Sequence, residues 1–162
     1  MVKKVILILA LCLCLCLCAC METELLKKAS DSHVQSTENA STEITIENFG
    51  ESEMFRQMVN VIHGAFVENS PSVEYDRINS LVNITVTAPQ GTVDSLEQGS
   101  QQALESWQII TNSLLELSKS GYETLGGAGL RIGCAVILLS DENPENVLYA
   151  TLNGAEFYDA LD

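Results

Sequence analysis

The chain has 162 residues and carries 22 Asp and Glu against 8 Lys and Arg, a formal charge of −14. An acidic surface of that kind repels phosphate backbones and anionic headgroups, which argues against nucleic acid as a partner and leaves cations, cationic peptides and neutral glycans open. The length suits one domain plus a linker and is sufficient to bury a core.

The N-terminus reads as an export signal. Met1-Val2-Lys3-Lys4 is a short basic segment, and Val5 to Ala19 is fifteen residues of uninterrupted apolar sequence, Leu- and Ile-rich and then alternating Leu with Cys. Fifteen residues suit a signal-peptide core and fall short of the about 20 that a spanning helix needs. The run closes on Leu17-Cys18-Ala19-Cys20. Five cysteines alternating with leucine, without a Cys-x-x-Cys pair or polar neighbours, do not form a zinc-site pattern. Ordinary signal cleavage after Ala19 is poorly served by Leu17, since a small residue is wanted there.

That closing tetrapeptide resembles the lipobox of bacterial lipoproteins, Leu-x-Ala/Gly-Cys. The resemblance covers only the first twenty residues. It implies that the thiol of Cys20 receives a diacylglyceryl group and that the chain is cut just before it, so that residues 1–19 are discarded. It further implies a protein held at the cell membrane through a lipid anchor on Cys20 and facing the extracytoplasmic side. One acyl chain binds membranes only marginally, at about 0.8 kcal/mol per buried CH₂, and two or more hold firmly.

From Cys20 onward six bases face all twenty-two acids, a formal charge of −16. Residues 20–43 are polar and poor in large apolar side chains, which predicts a flexible linker with a reach of roughly 25 Å. Residues 44–162 are expected to form the acidic globular domain. Beyond Cys20 the only cysteine is Cys134. With Cys20 lipidated no disulfide is available, so the core alone has to hold the fold.

Within the domain, Ile44-Thr45-Ile46 has the composition of a short edge strand. Phe55, Val59, Ile62 and Phe66 recur at helical spacing between Glu51 and Glu68, with a strand as the alternative for the second half, where Val59, Val61, Ala65 and Val67 alternate. Asn69-Ser70-Pro71-Ser72 is a turn. Val73 to Ala88 is β-like, with Ile78, Val82, Ile84 and Val86 on one face. The longest helix is expected from Thr92 or Asp94, one of them as cap, to about Ser120. Its apolar seam is Val93, Leu96, Ala103, Trp107, Ile110, Leu114 and Leu117, with Ser100 as a lapse. Gly126-Gly127-Ala128-Gly129 ends that helix. Leu130 to Leu139, apolar on both faces, predicts the central strand. Val147 to Leu152 pairs antiparallel with it. Asn153-Gly154 is a turn, and Ala155 to Asp162 is read as a final helical turn. The order strand, helix, strand predicts a parallel crossover. Together these predict an α+β domain: a small two-layer sandwich with a mixed sheet of about three strands and two helices packed on one face.

Signatures of catalysis are missing. The glycines at 126, 127 and 129 precede a strand, whereas phosphate-cradling loops follow one. No Gly-x-Ser-x-Gly, Ser-x-x-Lys, His-Glu-x-x-His or Cys-x-x-Cys occurs. His33 falls in the linker. His63 is expected half-buried on the first helix. Cys134 reads as a small core residue. Asp141-Glu142-Asn143-Pro144-Glu145-Asn146 is rich in side-chain oxygens but lacks the spacing and glycine of a calcium loop, so an acidic turn is expected. Asn39-Ala40-Ser41 and Asn83-Ile84-Thr85 match a glycosylation pattern by chance. Tyr149 and Tyr158 are expected to lie near each other. The reading is therefore a membrane-anchored, non-catalytic binding or accessory module with no cofactor and no metal, whose partner is an envelope component or protein. Two alternatives differ in class: an envelope hydrolase using scattered carboxylates such as Glu74 and Asp76, and a self-associating scaffold built through the 93–117 helix.

Overall fold

The computed structural model describes residues 43–162. The signal segment, Cys20, His33, Asn39 and nearly all of the linker lie outside the described residues. Residues Ile44–Asp162 cluster as a single unit.

The segment 44–46 is not a strand. Its backbone is drawn into a turn in which Thr45 N donates to Asn48 Oδ1 at 2.7 Å. Asn and Asp side chains bonded to nearby amides compete with ladder pairing in this way. A single helical turn at Phe49–Glu51 follows, with Phe49 fully buried. Helix α1 spans Glu53–Ala65, and Ser52 caps it by accepting from Phe55 N at 3.1 Å. The alternation over 59–67 is thus overridden by the cap and by the apolar stripe that ends in buried Ile62.

The β-like stretch predicted from Val73 to Ala88 is a hairpin. Strand β1 is Ser72–Asp76 and β2 is Leu81–Thr87, paired antiparallel with Tyr75 opposite Val82. The break is made by Asp76, whose carboxylate accepts from Ile78 N, Asn79 N and Asn79 Nδ2. Ser80 then takes a left-handed conformation at φ 50°. A single Asp that collects three local donors outweighs the apolar pattern, and Ile78 is left 94% exposed.

The long helix is two helices. α2 is Thr92–Glu97 and α3 is Gln101–Gly127. Gly99 at φ 63° turns the chain between them, and the lapse in the seam, Ser100, caps α3 by accepting from Ala103 N at 3.1 Å. Gly91, left-handed at φ 78°, occupies the N-cap position of α2 with no side-chain cap, so neither Thr92 nor Asp94 plays that part. α3 runs about two turns beyond the expected end near Ser120 and stops as a Schellman motif. Gly129, at φ 80°, donates to Gly126 O, and Leu130 donates to Leu125 O. The two leucines are buried together, the apolar contact that usually accompanies this motif.

Strands β3 (Gly133–Leu139), β4 (Val147–Leu152) and β5 (Ala155–Asp159) complete the sheet. The order is β1-β2-β3-β4-β5, with β2 and β3 parallel and every other pair antiparallel. The described domain is therefore α+β with a mixed five-stranded sheet and three helices, rather than three strands and two helices. The missed pair of strands has a simple cause. The β-like pattern runs from β1 through to β2, and β5 carries too little apolar alternation to stand out. The helical turn expected from Ala155 to Asp162 is not formed over Ala155–Asp159, because Asn153 and Gly154, both at positive φ, form the two-residue turn that returns the chain beside β4.

The parallel crossover and the central position of β3 agree with expectation. Val82, Ile84 and Val86 stand opposite Cys134, Val136 and Leu138, and all six are buried. Tyr149 and Thr151 continue that buried face on β4. Ile62 from α1 and Trp107, Leu114 and Leu125 from α3 join them in one core cluster. Each fully buried side chain of this size contributes about 1.5–3 kcal/mol.

Candidate interaction surface

The residues singled out for chemistry are dispersed by the fold. Cys134 sits in the core on β3, wholly buried, and burial pushes its thiol up to about 12. A neutral, enclosed thiol is a packing group rather than a nucleophile. His63 is exposed on α1, not half-buried, because Ile62 and Phe66 rather than His63 turn toward the core. Tyr149 and Tyr158 are separated by the sheet. Tyr149 lies on the buried face, edge-on to Trp107 with centroids 6.4 Å apart, whereas Tyr158 stands opposite Ala150 on the other face. Adjacent positions along a strand point to opposite sides, and a register of one residue decides which.

Glu74 and Asp76 do share a face of β1, two residues apart. Asp76, however, is a turn former. The Asn79 side-chain hydrogen bond, then the backbone bonds of the turn, hold its carboxyl below the usual range. A carboxylate stabilised in the charged form has little capacity to donate a proton. Asp141 to Asn146 is the β3–β4 connection. Ser140 Oγ accepts from Glu142 N and Asn143 N, and Asn143 Oδ1 accepts from Glu145 N, so the segment organises itself as a turn. Asp141 Oδ2 accepts from Gly91 N at 2.6 Å, tying this turn to the loop after β2; its Oδ1 has no hydrogen-bond partner among the described residues. The described residues hold no group of three or more His, Cys, Asp or Glu arranged to take a metal ion. The seam on α3 places Trp107 and Leu114 in the core, so a self-association surface cannot use them without unfolding the layer.

Two open grooves stand out among the described residues. One, of about 370 Å³, lies between the loop after β2 and the start of α3, beside Trp107 and Ile110. The other, of about 760 Å³, lies where the end of α3 meets the β4–β5 turn, lined among others by Tyr122, Arg131, Leu152 and Asn153.

The more distinctive feature is apolar and lies on the last two strands. All the buried sheet positions face the helices. The opposite face is polar toward β1 and β2, where it carries Ser72, Glu74, Asp76, Asn83, Thr85 and Thr87, and apolar toward β3 and β4, where it carries Ala135, Ile137, Leu139, Ala150 and Leu152. Among ten large apolar side chains exposed in the described residues, five fall between residues 147 and 161: Val147, Leu152, Phe157, Tyr158 and Leu161. Phe157 is 81% exposed. A bulge puts it there. Thr151 pairs with Glu156 and Ala150 with Tyr158, so Phe157 is the extra residue on β5 and has no cross-strand partner. β5 ends the sheet order, and among the described residues its outer edge pairs with nothing. Concentrated exposed apolar area of this kind marks interaction sites more often than scattered apolar residues do. Residue periodicity concealed this site, because the signal is the edge position of β5, which only the pairing reveals.

These features define the class of the molecule as an α+β domain with one helix-covered and one uncovered sheet face. Compared with models of protein families, with curated proteins and with solved structures, the chain matches none.

Proposed function

We propose that the chain is a membrane-anchored lipoprotein of the cell envelope, lipidated at Cys20, whose domain is a two-layer sandwich acting as a non-catalytic binding or accessory module outside the cytoplasmic membrane. The observation that carries the anchor is Leu17-Cys18-Ala19-Cys20 at the end of a fifteen-residue apolar run behind Lys3 and Lys4. A diacylated cysteine supplies enough buried CH₂ groups for stable attachment, and the polar residues that follow hold the domain clear of the headgroups. What supports the binding half of the reading is the apolar β3–β4 part of the uncovered sheet face, with Phe157, Tyr158 and Leu161 exposed on and just after β5.

The anchor is tested by feeding cells expressing the full chain a clickable fatty acid and comparing wild type with Cys20→Ala. The expected result is a labelled, membrane-bound wild type and an unlabelled variant. Equal labelling, or none in either, overturns the anchor.

A further inference from the structure

We propose that the outer edge of β5 is a docking site for an extended, basic segment of another protein, which adds a sixth strand to the sheet. This deepens the binding half of the proposed function and is independent of the lipid anchor.

A terminal strand presents unpaired backbone N–H and C=O groups, and proteins usually protect such a strand with charged side chains, proline, a bulge, short length or a covering element; of these, β5 is short and has two acids and one bulge. Residues 155–162 contain neither lysine nor proline. Ala155, Glu156, Phe157 and Tyr158 are all exposed, so no described element covers them. The strand is anchored from the inside: the Trp107 indole N–H donates to the Asp159 carboxylate, at 3.1 Å to Oδ1 and 3.2 Å to Oδ2. An edge tied to the core helix in this way is a fixed template rather than a frayed end.

Charge selects the occupant. The only charged residues from 155 to the C-terminus are Glu156, Asp159 and Asp162, and the described residues as a whole carry eighteen acids to four bases. A second copy would bring the same acids against this edge, and like charges across a strand pair are unfavourable. A strand with lysine or arginine alternating with apolar residues meets the acids with one set of side chains. With the other it covers Phe157 or Tyr158. Main-chain pairing then supplies affinity and the alternating side chains supply selectivity, the general mode of strand addition. The bulge at Phe157 limits the regular pairing on each side, so a short segment fits better than a long one.

The test uses the full chain, in detergent, and an acetylated eight-residue peptide alternating lysine with valine, read by calorimetry. Three peptides control it: one alternating lysine with serine, one alternating glutamate with valine, and the lysine–valine peptide N-methylated at every second amide. The expected result is saturable binding of the lysine–valine peptide, at least tenfold weaker for each control and for Phe157→Ser, with the far-ultraviolet spectrum of the variant unchanged. Binding that survives N-methylation is charge attraction without strand pairing and overturns the proposal. So does preference for the glutamate peptide, absence of binding, or dimerisation of the chain that Phe157→Ser abolishes. Because lipidation at Cys20 is read separately by fatty-acid labelling, failure here and failure of the anchor are distinguishable.

Discussion

Gly121 shows how closely α3 lies on the sheet. A Cβ at that position would come within 2.7 Å of the Cys134 sulfur. Neither atom has room to yield, since Cys134 is fully buried and α3 is held along its length. Gly121→Ala therefore gains the helix preference of alanine, about 1 kcal/mol, and loses about 1–3 kcal/mol to overpacking. In a Cys134→Ala background the clash is removed, leaving an ordinary 3.4 Å contact with Cβ. Urea unfolding of the two single variants and the double variant is expected to show a favourable coupling of about 1–3 kcal/mol. Additive effects would mean that the helix does not approach the strand at this point. The residue pattern alone reads Cys134 as a core residue; that Gly121 and Cys134 require each other is visible only when the layers are stacked.

At the scale of elements, one hydroxyl joins three of them. Ser118 on α3 is buried, donates to Cys134 O on β3 at 2.7 Å, and accepts from Gly154 N in the β4–β5 turn at 3.1 Å. Asn153 of the same turn returns to β3, its Oδ1 accepting from Cys134 N at 2.8 Å. The Asn153-Gly154 turn is thus sewn to the start of the central strand from two sides, and β5 leaves it in a determined direction. Ser118→Ala leaves the partly buried Gly154 amide without this partner, at a cost of about 1–3 kcal/mol. Ser113→Ala is the matched control, because Ser113 Oγ donates only to Ile109 O within the helix. Its cost is expected below about 0.5 kcal/mol. Amide exchange should also quicken at Gly154 in the first variant and not in the second. Equal losses in both would make Ser118 an ordinary helical position. The turn dipeptide was readable because Asn and Gly tolerate positive φ. The strand after it was not, since Ala155 to Asp159 owes its conformation to pairing with β4.

For the molecule as a whole, charge opposes compaction. Eighteen acids and four bases are held on the described 120 residues, and one ion pair is formed among them, Arg56 to Glu53 at 3.1 Å, both largely exposed. A pair of that exposure adds little, so the balance is net repulsion. The Debye length falls from about 30 Å at 0.01 M salt to about 8 Å at 0.15 M. The thermal midpoint is expected to rise with sodium chloride over that range, by about 4 °C for each 1 kcal/mol of repulsion relieved. A flat midpoint would show that the acids are spaced widely enough not to interact. The sequence by itself determined the class of the domain, the acidic surface, the long helix, the parallel crossover and the central strand. Each of these rests on composition or on a local period that burial enforces. Only the tertiary structure decided the hairpin at Asp76, the break at Gly99, the fifth strand and the side of the sheet on which Tyr149 and Tyr158 lie. These depend on which backbone groups find partners and on a register of one residue, and neither is written in the order of polar and apolar side chains.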